Sequence, residues 1–166
     1  MVIGVDAEMV RDDETDTASW SEFLEDMDGL ADEFEADGWE PLILVAGDTA
    51  AIGSDHKGFD HHGFVYVVPG DDGEQFADVF EPGRFTEADV YKAPGGSHQF
   101  FLTVLREPDL ETAIFLAGAL ERNSLRSCKQ AAMKTDRMYS HVVRIDGTHL
   151  GSVAHDNPEV FFPDFG

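Results

Sequence analysis

The spacing of apolar and polar residues divides the chain into amphipathic helices and short strands. Trp20, Phe23, Leu24, Met27, Leu30, Ala31 and Phe34 recur every three or four positions, which places them within an arc of about 120° on a helix. Glu22, Glu25, Asp26, Asp28, Asp32, Glu33, Glu35 and Asp37 take the remaining surface. Ser19 with Glu22 three residues on forms a capping box that predicts the start of this helix, and Gly38 predicts its end. The preceding acidic segment RDDETDTA (11–18) predicts a flexible lead-in, so the chain divides into an acidic N-terminal arm over 1–18 and one domain over 19–166.

Beyond Gly38 the pattern shortens. EPLILVAGD (40–48) predicts a buried strand and a turn, and GFVYVVPG (63–70) predicts another strand stopped by Pro69-Gly70. Residues 71–83 fit a short helix, and FTEADVYKA (85–93) alternates like a strand. HQFFLTVLRE and ETAIFLAGALE, joined through PDL, read as a hairpin. Residues 122–137 read as a second amphipathic helix, and 138–158 as two strands joined at DGTH. The expected fold is therefore α+β, a largely antiparallel sheet of six or seven strands covered by two or three helices. Phe161 and Phe162 are expected to seal its core.

Charge changes this picture most. The chain of 166 residues has 34 Asp plus Glu against 11 Lys plus Arg, a net charge of −23. Such a charge argues for disorder only when apolar content is low, and here it is 42%. The expectation is a folded domain with an acidic surface that repels itself in dilute buffer. Molar salt shortens the screening length to about 3 Å and removes most of that repulsion. Asp (20) exceeds Glu (14), and Lys (4) is scarcer than Arg (7), a balance that resembles cytosolic proteins of salt-in halophiles. The single cysteine, Cys128, excludes an internal disulfide and a cysteine zinc cage. No apolar run reaches membrane-spanning length and no secretory signal pattern opens the chain, so a cytoplasmic protein without membrane contact is expected.

Candidate chemistry lies in three places. GSDHKGFDHHGF (53–64) holds three of the seven histidines. His56 and His61 have the spacing of half a zinc finger, and Asp60 or Asp55 would have to complete a metal site. His61 and His62 point to opposite faces of an extended chain, whereas His149 and His155 share a face about 20 Å apart. A polar loop whose histidines need a distant partner, near His149 or His155, is the plainer reading. The second place is VIGVDAE (2–8). Its Asp6 and Glu8 resemble the first motif of DEDD-type 3′–5′ exonucleases, and His141 with Asp146 resembles the spacing of their last motif, which implies a two-metal hydrolase. The segment HVVRID reads as a strand, where that family has a helix, and no middle motif is present.

The third place is the helix over 122–137. Arg122, Arg126, Lys129, Lys134 and Arg137 fall on one arc of its wheel, opposite Leu125, Cys128, Ala131 and Ala132. Five of the eleven basic residues thus form one stripe, the strongest departure from the acidic background. It can pair with acids of the same fold or of a second copy, bind an acidic partner protein, or bind phosphate groups. No glycine-rich phosphate loop, Walker motif or serine elbow accompanies it, so nucleic acid is disfavoured and no cofactor is expected. Cys128 reads as a buried hydrophobe, because nothing local would activate it as a nucleophile.

DGWE (37–40), the strand entering Gly47-Asp48, VYVVPG, the hairpin FFLTVLREPDLETAIFLAG and HDNPEVFFP together resemble a group of small uncharacterised proteins of halophilic archaea over residues 18–163. That resemblance implies salt adaptation and no activity. The reading that follows is a non-enzymatic protein-interaction or dimerising domain acting through the basic stripe, a homodimer being the first expectation. A metal-dependent hydrolase or nuclease and a nucleotide or RNA binder are the alternatives.

Overall fold

The computed structural model describes residues 15–54 and 58–162. Helix α1 runs over Thr15–Ala36, beginning ahead of the expected cap at Ser19 and absorbing the end of the expected arm. Acidic and hydroxyl residues suit a helix first turn as well as they suit a cap, so nothing in TDTA stops the helix. Its other end is as expected. Gly38 has φ +91°, its N–H reaches Glu35 O at 3.0 Å, and Trp39 N–H reaches Phe34 O at 2.9 Å. The rings of Phe34 and Trp39 meet edge to face at 5.7 Å, the apolar contact that accompanies this left-handed cap.

Among the described residues eight strands follow: β1 (Glu40–Val45), β2 (Asp48–Ile52), β3 (Gly63–Val68), β4 (Glu87–Gly95), β5 (His98–Glu107), β6 (Thr112–Glu121), β7 (Met138–Arg144) and β8 (His149–His155). Helix α2 is Gly70–Val79 and α3 is Leu125–Thr135. The α+β class holds, but the single, largely antiparallel sheet does not. The described residues form two mixed four-stranded sheets, ordered β1-β6-β5-β4 and β2-β3-β7-β8. The pair β1/β6 in the first and the pair β3/β7 in the second are parallel. Parallel pairing joins distant segments, and local alternation carries no signal for it. The expected strand over 40–48 divides in two. Ala46 N–H bonds to Ala117 O on β6, and the next residue, Gly47, bonds to Val67 O on β3, both at 2.9 Å. One extended segment therefore leaves the first sheet and enters the second, forming a corner. Small residues in DTAAI hide β2 from the hydrophobic pattern. The close approach is met from the facing strand, where a Cβ at Gly118 would overlap the Thr49 side chain.

The main core lies between the sheets. Leu44, Phe101, Ile114 and Leu116 of the first meet Phe64, Tyr66, Val68 and Val142 of the second, and α2, α3 and the C-terminal turn add Phe76, Leu125, Cys128, Phe161 and Phe162. Tyr66 and Thr103 share a hydrogen bond of 3.2 Å between the sheets inside this core. The turn (Pro158–Phe161) is tied to β4 by Lys92, whose Nζ donates to Val160 O at 2.7 Å. Helix α1 covers the outer face of the first sheet, where Phe23, Met27, Leu30 and Ala31 pack on Phe100, Leu102, Val104 and Phe115. The outer face of the second sheet carries a small cluster of Ile52, Val65 and Val143, with Phe59 of the histidine loop packed against it.

A Cβ at Gly63 would overlap the Tyr139 carbonyl, and Gly63 has φ +149°. Gly63→Ala is expected to cost about 3 kcal/mol or more by forcing β3 and β7 apart. Tyr66→Phe, which removes only the hydrogen bond to Thr103, should cost about 1 kcal/mol. Urea unfolding in molar salt measures both, and a Gly63→Ala protein as stable as the parent would contradict the packing described.

Candidate functional site

Two places gather polar side chains. The first is the outer face of the β7–β8 hairpin. In β7, Met138, Ser140 and Val142 point into the core, so Tyr139, His141 and Val143 point outward. Opposite them β8 pairs Ser152 with His141 and Gly151 with Val142, and then His149, not Leu150, with Val143. This one-residue bulge reverses the pleat. Leu150 packs toward the main core, and His149 turns outward beside Ser152 and His141. His149 and His155 therefore do not share a face as expected. His155 points inward, buried against the Phe161 ring at 4.7 Å, with its Nε2 2.9 Å from Ser140 Oγ.

The hydrogen bonds on this face fix their own direction. His141 Nε2 lies 3.0 Å from the His61 carbonyl, which can only accept, so this nitrogen carries the proton. His141 Nδ1 is then an acceptor, and the Ser152 hydroxyl donates to it across 2.6 Å. With its proton committed, Ser152 Oγ accepts from His149 Nε2–H at 2.7 Å. The chain runs from His149 through Ser152 and His141 to the His61 carbonyl. Burial pulls His141 down to about 4, so it is neutral at pH 7. A pocket of about 190 Å³ opens beside it, lined by Gly58, Phe59, Asp60, His61, His141, His149 and Ser152.

His61 and His62 both rest against Tyr139, the second edge-on at 5.3 Å, so they are not sent to opposite faces as expected. The ring of His61 stacks on Tyr139 at 4.2 Å, and His62 Nε2 donates to Arg137 O at 2.6 Å. The distant partners of the loop are His141 and His149, not His155. Among the described residues no group of three or more His, Cys, Asp or Glu is placed to hold a metal ion; His56 lies outside them, as do Asp6 and Glu8. His141 stands on a strand, and Asp146 sits in the hairpin turn, accepting from Thr148 N–H at 2.9 Å and Thr148 Oγ1 at 2.7 Å. The pair therefore lacks the helical setting that the exonuclease resemblance requires. Sequence reading passed over Ser152, because its role comes from the bulge and the cross-strand pairing.

The second place is α3. Leu125, Cys128, Ala131 and Ala132 are buried as expected, and burial pushes the Cys128 thiol up to about 12, which leaves it an inert hydrophobe. The basic stripe is shorter than the wheel implied. Arg122 sits on a separate 3₁₀ turn (Arg122–Ser124), donating from Nη1 to Gln99 Oε1 at 3.1 Å. Asp136 ends the helix in the left-handed conformation at φ 57°. Arg137 lies beyond it, 4.0 Å from Asp156. The helix itself carries Arg126, Lys129 and Lys134. Arg126 and Lys134 are exposed and have no ion pair among the described residues. Arg122, Asn123, Arg126, Lys129 and Gln130 line a recess of about 620 Å³, within the size range of ligand sites.

Burial also pulls His155 down to about 4. An unfolded histidine takes its proton near pH 6.5, whereas His141 and His155 in the fold resist it until about pH 4. Their contribution to stability is therefore complete above pH 6.5 and is lost as the pH falls toward 4. Urea unfolding in molar salt should show a loss on the order of 2–3 kcal/mol per histidine by pH 4.5, and a shallower slope in His155→Gln protein. Identical slopes in the two proteins would contradict the assignment.

No helix among the described residues is long and apolar enough to cross a membrane. Neither the curated proteins nor the solved structures include a significant match to this chain. A family match covers residues 6–163, nearly the whole chain, and so the chain belongs to the family of unknown function DUF7529.

Proposed function

We propose that this chain is a salt-adapted cytosolic protein-interaction domain that takes an acidic polypeptide on the basic face of α3, the α1 face of a second copy being the foremost partner. The observation that carries this reading is the exposed pair Arg126 and Lys134, without an ion pair among the described residues of a chain of charge −23. Glu22, Glu25, Asp28, Asp32, Glu33 and Glu35 supply the complement on α1. They are exposed, and none has an ion pair among the described residues. Complementary surfaces of this kind set partner choice and register.

Salt limits how such a surface can work. With a screening length of about 3 Å, only charges in direct contact attract. The aliphatic stems of Arg and Lys and the exposed Met133 on α3 would then contribute contact area that salt does not weaken. Nucleic acid is the weaker reading, since a polyanion meets repulsion from the rest of the surface.

Light scattering in molar potassium chloride tests the reading. The parent is expected at twice its 18.3 kDa mass, and Arg126→Glu with Lys134→Glu at the monomer mass with an unchanged melting temperature. A parent that is monomeric and binds no acidic polypeptide, or a variant that still dimerises, would overturn it. Co-purifying absorbance at 260 nm that is lost in the variant would favour the nucleic-acid reading instead.

A further inference from the structure

The hydrogen-bonded chain on the outer face of the second sheet has a consequence separate from the basic surface. Ser152 Oγ is engaged from both sides. His141 Nδ1 accepts its proton at 2.6 Å, and His149 Nε2–H donates to it at 2.7 Å. The His61 carbonyl, 3.0 Å from His141 Nε2, fixes the tautomer that leaves Nδ1 free to accept. This is the arrangement of a nucleophile, its base and an orienting group, with a backbone carbonyl in the place a carboxylate takes in the familiar triads. The hydroxyl stands at the wall of a pocket of about 190 Å³, and Phe59 lies against His141 and His149 at 5.0 and 6.2 Å. A pocket of that size admits a short acyl chain.

We propose that Ser152 is a nucleophile toward small carboxylic esters, with His141 as its general base and His149 as the hydrogen-bond donor beside the reacting oxygen. The Ser152 hydroxyl proton passes to His141 Nδ1 while Oγ bonds to the ester carbonyl carbon. The tetrahedral adduct collapses by breaking the bond to the alkoxide, which takes the proton from His141. Water then attacks the acyl-serine carbonyl and gives a proton to His141 Nδ1. The acid leaves as that proton returns to Ser152 Oγ. His149 Nε2–H donates to the same oxygen at rest, which stabilises negative charge there. Asp60, on the pocket wall, disfavours anionic substrates. Because burial makes His141 a weak base, the reaction is slow, and the donor on Oγ offsets part of that deficit.

Reaction of the full chain with diisopropyl fluorophosphate in molar salt, read by intact mass and peptide mapping, tests the assignment. One adduct is expected, on Ser152. It should be absent in Ser152→Ala and slowed by about a hundredfold or more in His141→Gln, with p-nitrophenyl acetate hydrolysis falling in parallel. His149→Ala, at an exposed position, tests the donor without touching the core and should slow labelling by about tenfold. Folded parent protein that takes no label at Ser152, or labels it no faster than its other serines, overturns the proposal. The outcome is independent of the α3 surface, so it can fail while the interaction reading stands.

Discussion

Two consecutive backbone N–H groups, those of Ala46 and Gly47, hydrogen-bond into different sheets, and the rest of the architecture is arranged around that corner. An extended segment that serves both sheets fixes their separation and relative direction. The facing side chains then fill the space between them, from Leu44 and Ile114 on one side to Phe64 and Val142 on the other. The corner also needs close approach. Gly118 leaves room for Thr49, and Gly53 packs on Ser127 of α3 with Cβ-position contacts of 3.2 Å and longer. The basic helix is thus seated against the far end of β2, the strand that leaves the corner. The opposite, outer faces remain for α1 on the first sheet and the histidine loop on the second.

Charge is distributed on this frame in an ordered way. Acids occupy the outward surface of α1 and the turns, while three of the cations stand together on α3. Arg84 and Arg106 are engaged elsewhere, with Glu81, Glu107 and Asp109 and with Glu87 and Asp89 respectively. Exposed pairs of this type contribute little each, about 0–1 kcal/mol, so stability rests on the inter-sheet core. Arg126 and Lys134, which have no ion pair among the described residues, are then open to a partner under the proposed function. Salt adaptation and partner binding have one physical origin in this reading, since the acids that keep the surface solvated also make a cluster of cations distinctive.

What could be read from the sequence was local. The stripe from Trp20 to Phe34, the hairpin around Pro108-Asp109-Leu110 and the buried face of α3 follow from periodicity within a few residues, and each is found where it was expected. The pairings of Leu42 with Ile114 and of Tyr66 with Val142 join strands with several other elements between them, and one expected sheet becomes two. The candidate chemistry shows the same limit. The histidine loop was conspicuous in the sequence, but Ser152 was not. The bulge at Val142/Val143 brings His149 onto the face that already holds His141 and Ser152, and alternation alone had put His149 with His155. The arc of five cations was visible. Its division by the 3₁₀ turn at Arg122 and the left-handed Asp136 was not, because a helical wheel assumes that the helix continues.

The central claim is that α3 recognises negative charge borne by polypeptide. The most direct measurement is a titration of uniformly ¹⁵N-labelled protein with poly-L-aspartate, followed by amide chemical shifts at a moderate and at a molar salt concentration. The account predicts shifts concentrated in residues 122–137, with an apparent affinity that weakens but does not vanish as salt rises. Shifts absent at both salt concentrations, or centred on another face of the molecule, would contradict it.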